Sequence, residues 1–213
     1  MKIYDISQEV FNCQVYPGDP APERRVLRST EKRRSDVNQI TIRKIDIAHA
    51  QDARLPNQPF QLWGRVIPAL EDGKWSYRVR ENDQIGEECF PDEDYDIAHD
   101  DRIFLGAYSG EQCVGVAVLQ KKWYRYLYLD DLKVNADLRG HGIGGKLIEA
   151  TMEEARALGL RGVYLIGQDT NASACLFYLK HGFEIGGFDN RVYDGTSQEG
   201  TGNIIFYREL HDG

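Results

Sequence analysis

Arg139-Gly140-His141-Gly142-Ile143-Gly144-Gly145-Lys146-Leu147 is a glycine-dense turn between an apolar run and an amphipathic segment. Glycines let successive backbone N–H groups converge on one point, and the positive end of a following helix favours an anion there. The stretch therefore reads as a phosphate loop, for which three patterns compete. The Walker A pattern is met by Gly140, Gly145 and Lys146 but ends on Leu147, which has no hydroxyl for a magnesium ion. The dinucleotide pattern G-x-G-x-x-G is met by Gly140, Gly142 and Gly145, with Asp169 at a spacing suited to a ribose acid. Against it, Asn135-Ala136-Asp137-Leu138-Arg139 separate the first glycine from the apolar run, and too little chain follows for a doubly wound sheet. A ligand-free turn would carry the entropy cost of its glycines with no packing return.

The third pattern, Arg/Gln-x-x-Gly-x-Gly/Ala, is met by Arg139, Gly142 and Gly144, and both flanks agree with it. Residues 126–134 read as a strand before the loop. Residues 143–158 read as a helix after it, with Ile143, Leu147, Met152, Ala155 and Leu158 near helical spacing and Gly159 as the stop. Further on, residues 162–166 form a short apolar run, followed by Asn171-Ala172-Ser173-Ala174-Cys175-Leu176-Phe177-Tyr178-Leu179-Lys180-His181-Gly182-Phe183. Asn171 suits a helix cap and Gly182 a helix stop. This segment fits N-x-x-A-x-x-F/L-Y-x-x-x-G-F at Asn171, Ala174, Phe177, Tyr178, Gly182 and Phe183. The two signatures, in this order and at this separation, resemble the GNAT superfamily of N-acetyltransferases. The resemblance implies an α/β (α+β) acyltransferase fold, a mixed central sheet flanked by helices, and acetyl-CoA as acyl donor.

Composition bounds the remainder. The chain has 213 residues, 41% of them hydrophobic, which suits one compact domain with an extension. No run is long and apolar enough for a membrane span. Cys13, Cys89, Cys113 and Cys175 are far apart and Met1-Lys2-Ile3-Tyr4-Asp5 does not read as a signal peptide, so a reducing cytoplasm is the expected compartment. The histidines are scattered and pair with no cysteine, so no metal is expected. A net charge of −8 argues against nucleic acid as a partner and favours a cationic one. The stretch from Glu81 to Asp101 has no lysine or arginine and is rich in carboxylates, including Glu87, Glu88, Asp92, Glu93 and Asp94. It reads either as a solvated acidic loop or as an electrostatic funnel for a polyamine substrate. The oligomeric state, homodimer included, is left open.

Lys2-Ile3-Tyr4-Asp5-Ile6-Ser7 and Val15-Tyr16-Pro17-Gly18-Asp19-Pro20 resemble the opening of the cyclase and kynurenine formamidase family, but its H-x-G-T-H-x-D metal motif is absent. The expected organisation is an N-terminal cyclase-like fragment at 1–30, a basic linker at 31–39 and the catalytic domain at 40–213. Within that domain, residues 39–47 alternate as a half-buried first strand. Further strands are expected at 75–80, 102–108, 112–121, 183–193 and 203–210. A narrower resemblance, to streptothricin acetyltransferases, rests on Pro59-Phe60-Gln61-Leu62-Trp63-Gly64-Arg65-Val66-Ile67-Pro68, the acidic stretch, Trp123-Tyr124-Arg125-Tyr126-Leu127-Tyr128-Leu129-Asp130-Asp131 and Gly182-Phe183-Glu184-Ile185-Gly186-Gly187. It implies acetylation of an amine on the β-lysine part of a cationic antibiotic, with another polyamine or an aminoglycoside as the alternative acceptor. A non-catalytic acyl-CoA-binding module is the alternative from another class.

Amide formation needs a neutral amine, but an alkyl ammonium with a pKa of about 10.4 is almost wholly protonated at neutral pH. A proton acceptor is therefore required. Asp130 and Asp131 are the candidates, and from a regular strand only one of them could face the substrate. The resemblance implies pyrophosphate binding by Arg139, Gly140, His141, Gly142, Ile143, Gly144 and Gly145, and an oxyanion donor among the backbone N–H groups of Leu132, Lys133 and Val134, where the family distorts its strand. It also implies Asn171 as a pantetheine contact and Tyr178 as the acid for the departing thiolate. Glu87, Glu88, Asp92, Glu93 and Asp94 are the candidate substrate-binding residues.

Overall fold

The computed structural model describes residues 39–122 and 124–210. The readings made for 1–30 and for most of the basic linker lie outside the described residues. Seven strands form one mixed sheet: β1 (Ile40–Lys44), β4 (Ile103–Ser109), β5 (Gln112–Lys121), β6 (Tyr126–Val134), β7 (Gly162–Gln168), β8 (Glu184–Asp189) and β9 (Asn203–Glu209). Their order across the sheet is β1-β4-β5-β6-β7-β9-β8. Helix α1 (Ile143–Ala157) follows β6, and helix α2 (Ala172–Lys180) follows β7. The mixed sheet with helices against it is the fold that the two signatures imply.

The apolar run of β5 is buried on both faces. Val114, Ala117 and Leu119 join a core that includes Ile143, Leu147, Ile148 and Met152 of α1. Cys113, Val116 and Val118 join a second core with Ile45, Tyr95, Phe104 and Tyr108. α1 buries the stripe Ile143, Leu147, Ile148, Thr151, Met152 and Ala155, the spacing of one helix face. It stops at Gly159, whose φ of +65° is costly for a residue with a Cβ. α2 starts where the Asn171 side chain accepts from Ala174 N at 3.1 Å. It stops at Gly182, with φ +80°.

Three expectations are corrected. The first strand ends at Lys44, and Ile47–Arg54 is a 3-10 segment whose Asp46 side chain accepts from His49 N. The closing run at 183–193 supplies only β8, Glu184–Asp189. The largest correction is a long hairpin of β2 (Phe60–Glu71) and β3 (Lys74–Glu88), only part of which was expected. It turns at Asp72 (φ 49°) and Gly73 (φ 74°), a pair suited to a tight hairpin turn. Glu87 and Glu88 therefore belong to a strand, opposite Gln61 and Phe60, and not to an acidic loop.

β7 approaches β9 tightly at Gly162, where an added Cβ would lie 2.2 Å from the Arg208 carbonyl oxygen. A backbone neighbour cannot rotate away. Gly162→Ala should therefore destabilise the fold by about 1–3 kcal/mol, the usual cost of overpacking, measurable as a lower urea midpoint.

Candidate active site

β6 and β7 run parallel but pair at only three positions, Tyr126↔Gly162, Leu127↔Val163 and Tyr128↔Tyr164. Beyond them β6 continues to Val134 and β7 to Gln168. The strands diverge there into a V-shaped slot in the sheet, and the backbone of residues 130–134 meets no strand on the β7 side. Polar backbone without a ladder partner is available to a ligand.

The register between β5 and β6 passes from Val118↔Asp131 to Leu119↔Leu129, so Asp130 is an extra, bulged residue. The bulge changes the phase of the strand: Leu127 and Leu129 face the α1 core before it, while Leu132 and Val134 pack there after it. This overturns the expectation that Asp130 and Asp131 take opposite sides. Both are gathered around Tyr95. Asp131 Oδ2 accepts from the Tyr95 hydroxyl at 3.3 Å and lies 3.0 Å from Lys133 Nζ. Asp130 Oδ2 accepts from Arg102 Nη1 at 3.1 Å, and the Arg102 guanidinium sits 4.6 Å from the centre of the Tyr95 ring. Both carboxylates thus have cationic partners. Burial, with the negative field of Asp131, Glu93 and Asp130, pushes the Tyr95 phenol well above its ordinary range.

The glycine loop divides into two kinds of glycine. Gly140 and Gly142 have φ of +80° and +82°, and no atom lies within 4 Å of where their Cβ would be. Gly142 caps α1 in the left-handed conformation without a side-chain hydrogen bond. This is an open backbone cradle at a helix N-terminus, the form that an anionic phosphate requires. Gly144 and Gly145 answer to packing instead: an added Cβ would lie 2.9 Å from the Phe177 ring and 2.6 Å from the His181 ring. Arg139 turns back from the loop. Its guanidinium donates to Val134 O at 3.2 Å, Pro59 O at 2.9 Å and Gln58 O at 3.3 Å. His141 Nδ1 faces the Arg139 carbonyl at 3.0 Å, an acceptor, which places the ring proton on that nitrogen. Lys133 directs its buried side chain to Asp131, so any part it has in an oxyanion site belongs to its backbone N–H.

Tyr178 on α2 sits beside Phe177, Phe183 and Phe206, with ring centroids 5.5, 5.9 and 5.7 Å away. Its hydroxyl makes no hydrogen bond to a described residue. Burial pushes its phenol up, and the charges of Cys175, Asp131 and Tyr128 add to the shift. The ring is near the slot, since a Cβ on Gly167 of β7 would lie 3.8 Å from Tyr178 Cε2.

The segment from Asn57 to Phe60 spans the open end of the V. Gln58 accepts from Ala136 N and donates to Asn135 Oδ1 at 3.5 Å, just past the end of β6. Phe60 pairs with Glu88, whose Oε1 accepts from Gln198 Nε2 at 3.2 Å. Gln168, the last residue of β7, donates to the Tyr193 hydroxyl at 2.9 Å and to Gln198 Oε1 at 3.5 Å. Its own Oε1 is buried with no hydrogen-bond partner among the described residues. Gln58, Gln168, Tyr193 and Gln198 were not singled out from sequence; only the hairpin's path brings them to the slot. Two of the other candidate acidic residues hold the local fold. Asp92 Oδ1 accepts from Asn57 N at 2.6 Å, and Asp94 pairs with Arg54 at 3.1 Å. Asp169 accepts from Gly202 N at 3.1 Å beside Arg65, a structural position and not that of a ribose acid.

Residues 68–183 match the family described as Acetyltransferase (GNAT) family. The chain is 33% identical over 169 residues to streptothricin acetyltransferase A of Bacillus subtilis (strain 168), covering 78% of this chain and 98% of that protein. It is 27% identical over 138 residues to streptothricin acetyltransferase of Escherichia coli, covering 65% of this chain and 78% of that protein. Among solved structures, a Bacillus anthracis str. Ames protein assigned as a streptothricin acetyltransferase, in complex with acetyl coenzyme A, superposes with a TM-score of 0.74. It is 28% identical, and the match covers 81% of this chain and all (100%) of that one. Nourseothricin acetyltransferase shares the fold, with a TM-score of 0.67 at 24% identity, over 81% of this chain and 99% of that one.

The Asp131–Lys133 pair gives a test of the charge balance beside Tyr95. Lys133 is 8% exposed at its side chain, so Asp131→Asn leaves a buried ammonium without a counter-charge and should cost about 3–5 kcal/mol. Adding Lys133→Met should restore much of that loss in chemical denaturation. Additive losses in the double variant would mean that the two residues do not act as a pair.

Proposed function

The chain belongs to the acetyltransferase (GNAT) family and uses acetyl-CoA, and from that premise we propose that it acetylates a primary amine of streptothricin, a polycationic antibiotic. The observation that carries the reading is the combination of an open glycine cradle with a β6–β7 slot bordered by carboxylates. The cradle at Gly140 and Gly142 and the α1 N-terminus would hold the pyrophosphate, and the free edge of residues 130–134 would receive the pantetheine arm. Asn171 borders the same slot as the α2 cap. Bound acetyl-CoA supplies a thioester, an acyl group already activated toward amines.

The chain's residues then have distinct tasks. A backbone N–H among Leu132, Lys133 and Val134 stabilises negative charge on the carbonyl oxygen. Asp130, Asp131 and Glu93, clustered about Tyr95, attract the ammonium groups of the acceptor. Tyr178, protonated at all physiological pH because burial raises its phenol, gives a proton to the leaving sulfur. The similarity to the Bacillus subtilis streptothricin acetyltransferase, which spans 98% of that protein, supports this acceptor.

The substrate is tested by mass spectrometry of streptothricin after incubation with the protein and acetyl-CoA, where a single acetyl gain is expected. No mass change, together with CoA release in the presence of another amine, would replace streptothricin as the acceptor. Tyr178→Phe should lower kcat on the order of 10²-fold with acetyl-CoA affinity nearly unchanged, as follows from loss of a proton donor alone. Full turnover in that variant would remove Tyr178 from the chemistry. For the cradle, Gly142→Val should weaken acetyl-CoA binding in calorimetry by roughly tenfold or more, because its φ of +82° disfavours any side chain and a Cβ would enter the phosphate's space.

A further inference from the structure

The two carboxylates beside the bulge each meet a cation: Asp130 meets Arg102, which it shares with Asp100, and Asp131, which also accepts from Tyr95, meets Lys133. Both are thus in contact with a cation of the protein itself. Glu88 differs. It is half-buried at the base of the hairpin that crosses the open end of the V, and no cation lies within ion-pair distance of it among the described residues. Its one hydrogen bond comes from Gln198, whose amide also meets Gln168 at the end of β7. Gln168 in turn follows Gly167, where an added Cβ would lie 3.8 Å from Tyr178 Cε2. A carboxylate kept from water without a counter-ion costs folding free energy. Ordinary packing gives no return for that cost, whereas a site that receives a cationic amine does.

Building on the acetyltransferase reading, we infer that Glu88, held by the Gln198–Gln168–Tyr193 network, is the proton acceptor for the attacking amine. The acceptor ammonium first gives one proton to solvent, and the neutral nitrogen then forms its bond to the acyl carbon. Its surplus proton passes to the Glu88 carboxylate, directly or through one water, as the carbon–sulfur bond breaks. The departing sulfur takes its proton from Tyr178. Glu88 then returns its proton to solvent and Tyr178 regains one, so charge and protons balance over the cycle. Burial raises the Glu88 carboxyl above its ordinary value, while the Gln198 hydrogen bond lowers it. A raised carboxyl is a stronger base than an exposed one.

The shift also has a consequence for stability. A folded-state pKa above the unfolded one means that the native protein holds the proton more tightly, so the ionised carboxylate disfavours folding once pH rises through that pKa. The neutral amide introduced by Glu88→Gln escapes this penalty.

The test is the pH profile of kcat/KM for streptothricin acetylation, paired with thermal unfolding at neutral pH. Glu88→Gln should lower kcat/KM on the order of 10²-fold at neutral pH, abolish the acid limb assigned to Glu88, and leave acetyl-CoA affinity unchanged. Its melting temperature should equal or exceed the parent's, which a merely structural glutamate would not give. Gln198→Met keeps the carboxylate and removes the hydrogen bond that lowers its pKa, so the acid limb should move to higher pH. Should Glu88→Gln fail to fold, an unmoved limb in Gln198→Met overturns the assignment. A Glu88→Gln enzyme within about twofold of the parent, with the same limb, also overturns it. The substrate reading fails separately: a parent that releases CoA with another primary amine but not with streptothricin loses that acceptor, and the Glu88 profile is then run on the accepted amine.

Discussion

The divergence of β6 from β7 after Tyr128↔Tyr164 is the constraint on which the site depends. A parallel pair that stopped pairing in the middle of a sheet would leave polar backbone unsatisfied unless something replaced the missing strand contact. The slot is bounded on one side by residues 130–134 and on the other by the end of β7. The helices follow directly from its two arms: α1 begins after β6, and α2 after β7. Each helix start thereby lies near the slot, one with a glycine cradle and one with Asn171 as cap. The same geometry positions the glycine loop and Tyr178.

The bulge at Asp130 acts on the other side of β6. By adding one residue it lets Leu129 and Leu132 both reach the α1 core while Asp131 reaches Tyr95 and Asp130 reaches Arg102, whose guanidinium lies over the Tyr95 ring. A regular strand would have sent one carboxylate into the apolar core, where an unpaired charge is strongly unfavourable. Arg102, shared with Asp100, and Lys133 meet the two carboxylates, and Gln58 with the β2–β3 hairpin closes over the slot as far as Glu88. Arg139 fastens that closure, since its three carbonyl partners lie on β6 and on the segment entering the hairpin. The motif arginine is thus a clamp between loop and hairpin.

The legible features were the local ones. The stripe of α1, the stops at Gly159 and Gly182, the cap at Asn171 and the buried run of β5 each depend on residues close in sequence, and each stands where its pattern places it. The hairpin was under-read because Gly64 and Pro68 interrupt an otherwise alternating Phe60, Leu62, Val66 pattern, although Asp72-Gly73 marked the turn. The bulge left no trace in the sequence, because an extra residue is defined only against the partner strand. Nor did the roles of the acidic residues: Asp92 and Asp94 bind the segment around Arg54 and Asn57, while Glu88 faces the slot's glutamines, and their spacing alone does not separate these fates.

The central claim is that acetyl-CoA lies in the β6–β7 slot with its phosphates on the glycine cradle. Backbone amide hydrogen exchange of the intact protein, with and without acetyl-CoA, tests it most directly, because the free β6 edge is open to solvent until the pantetheine arm occupies it. Slower exchange confined to residues 130–134 and 140–146 on adding acetyl-CoA is the predicted result. Unchanged exchange in both segments at saturating acetyl-CoA would contradict it.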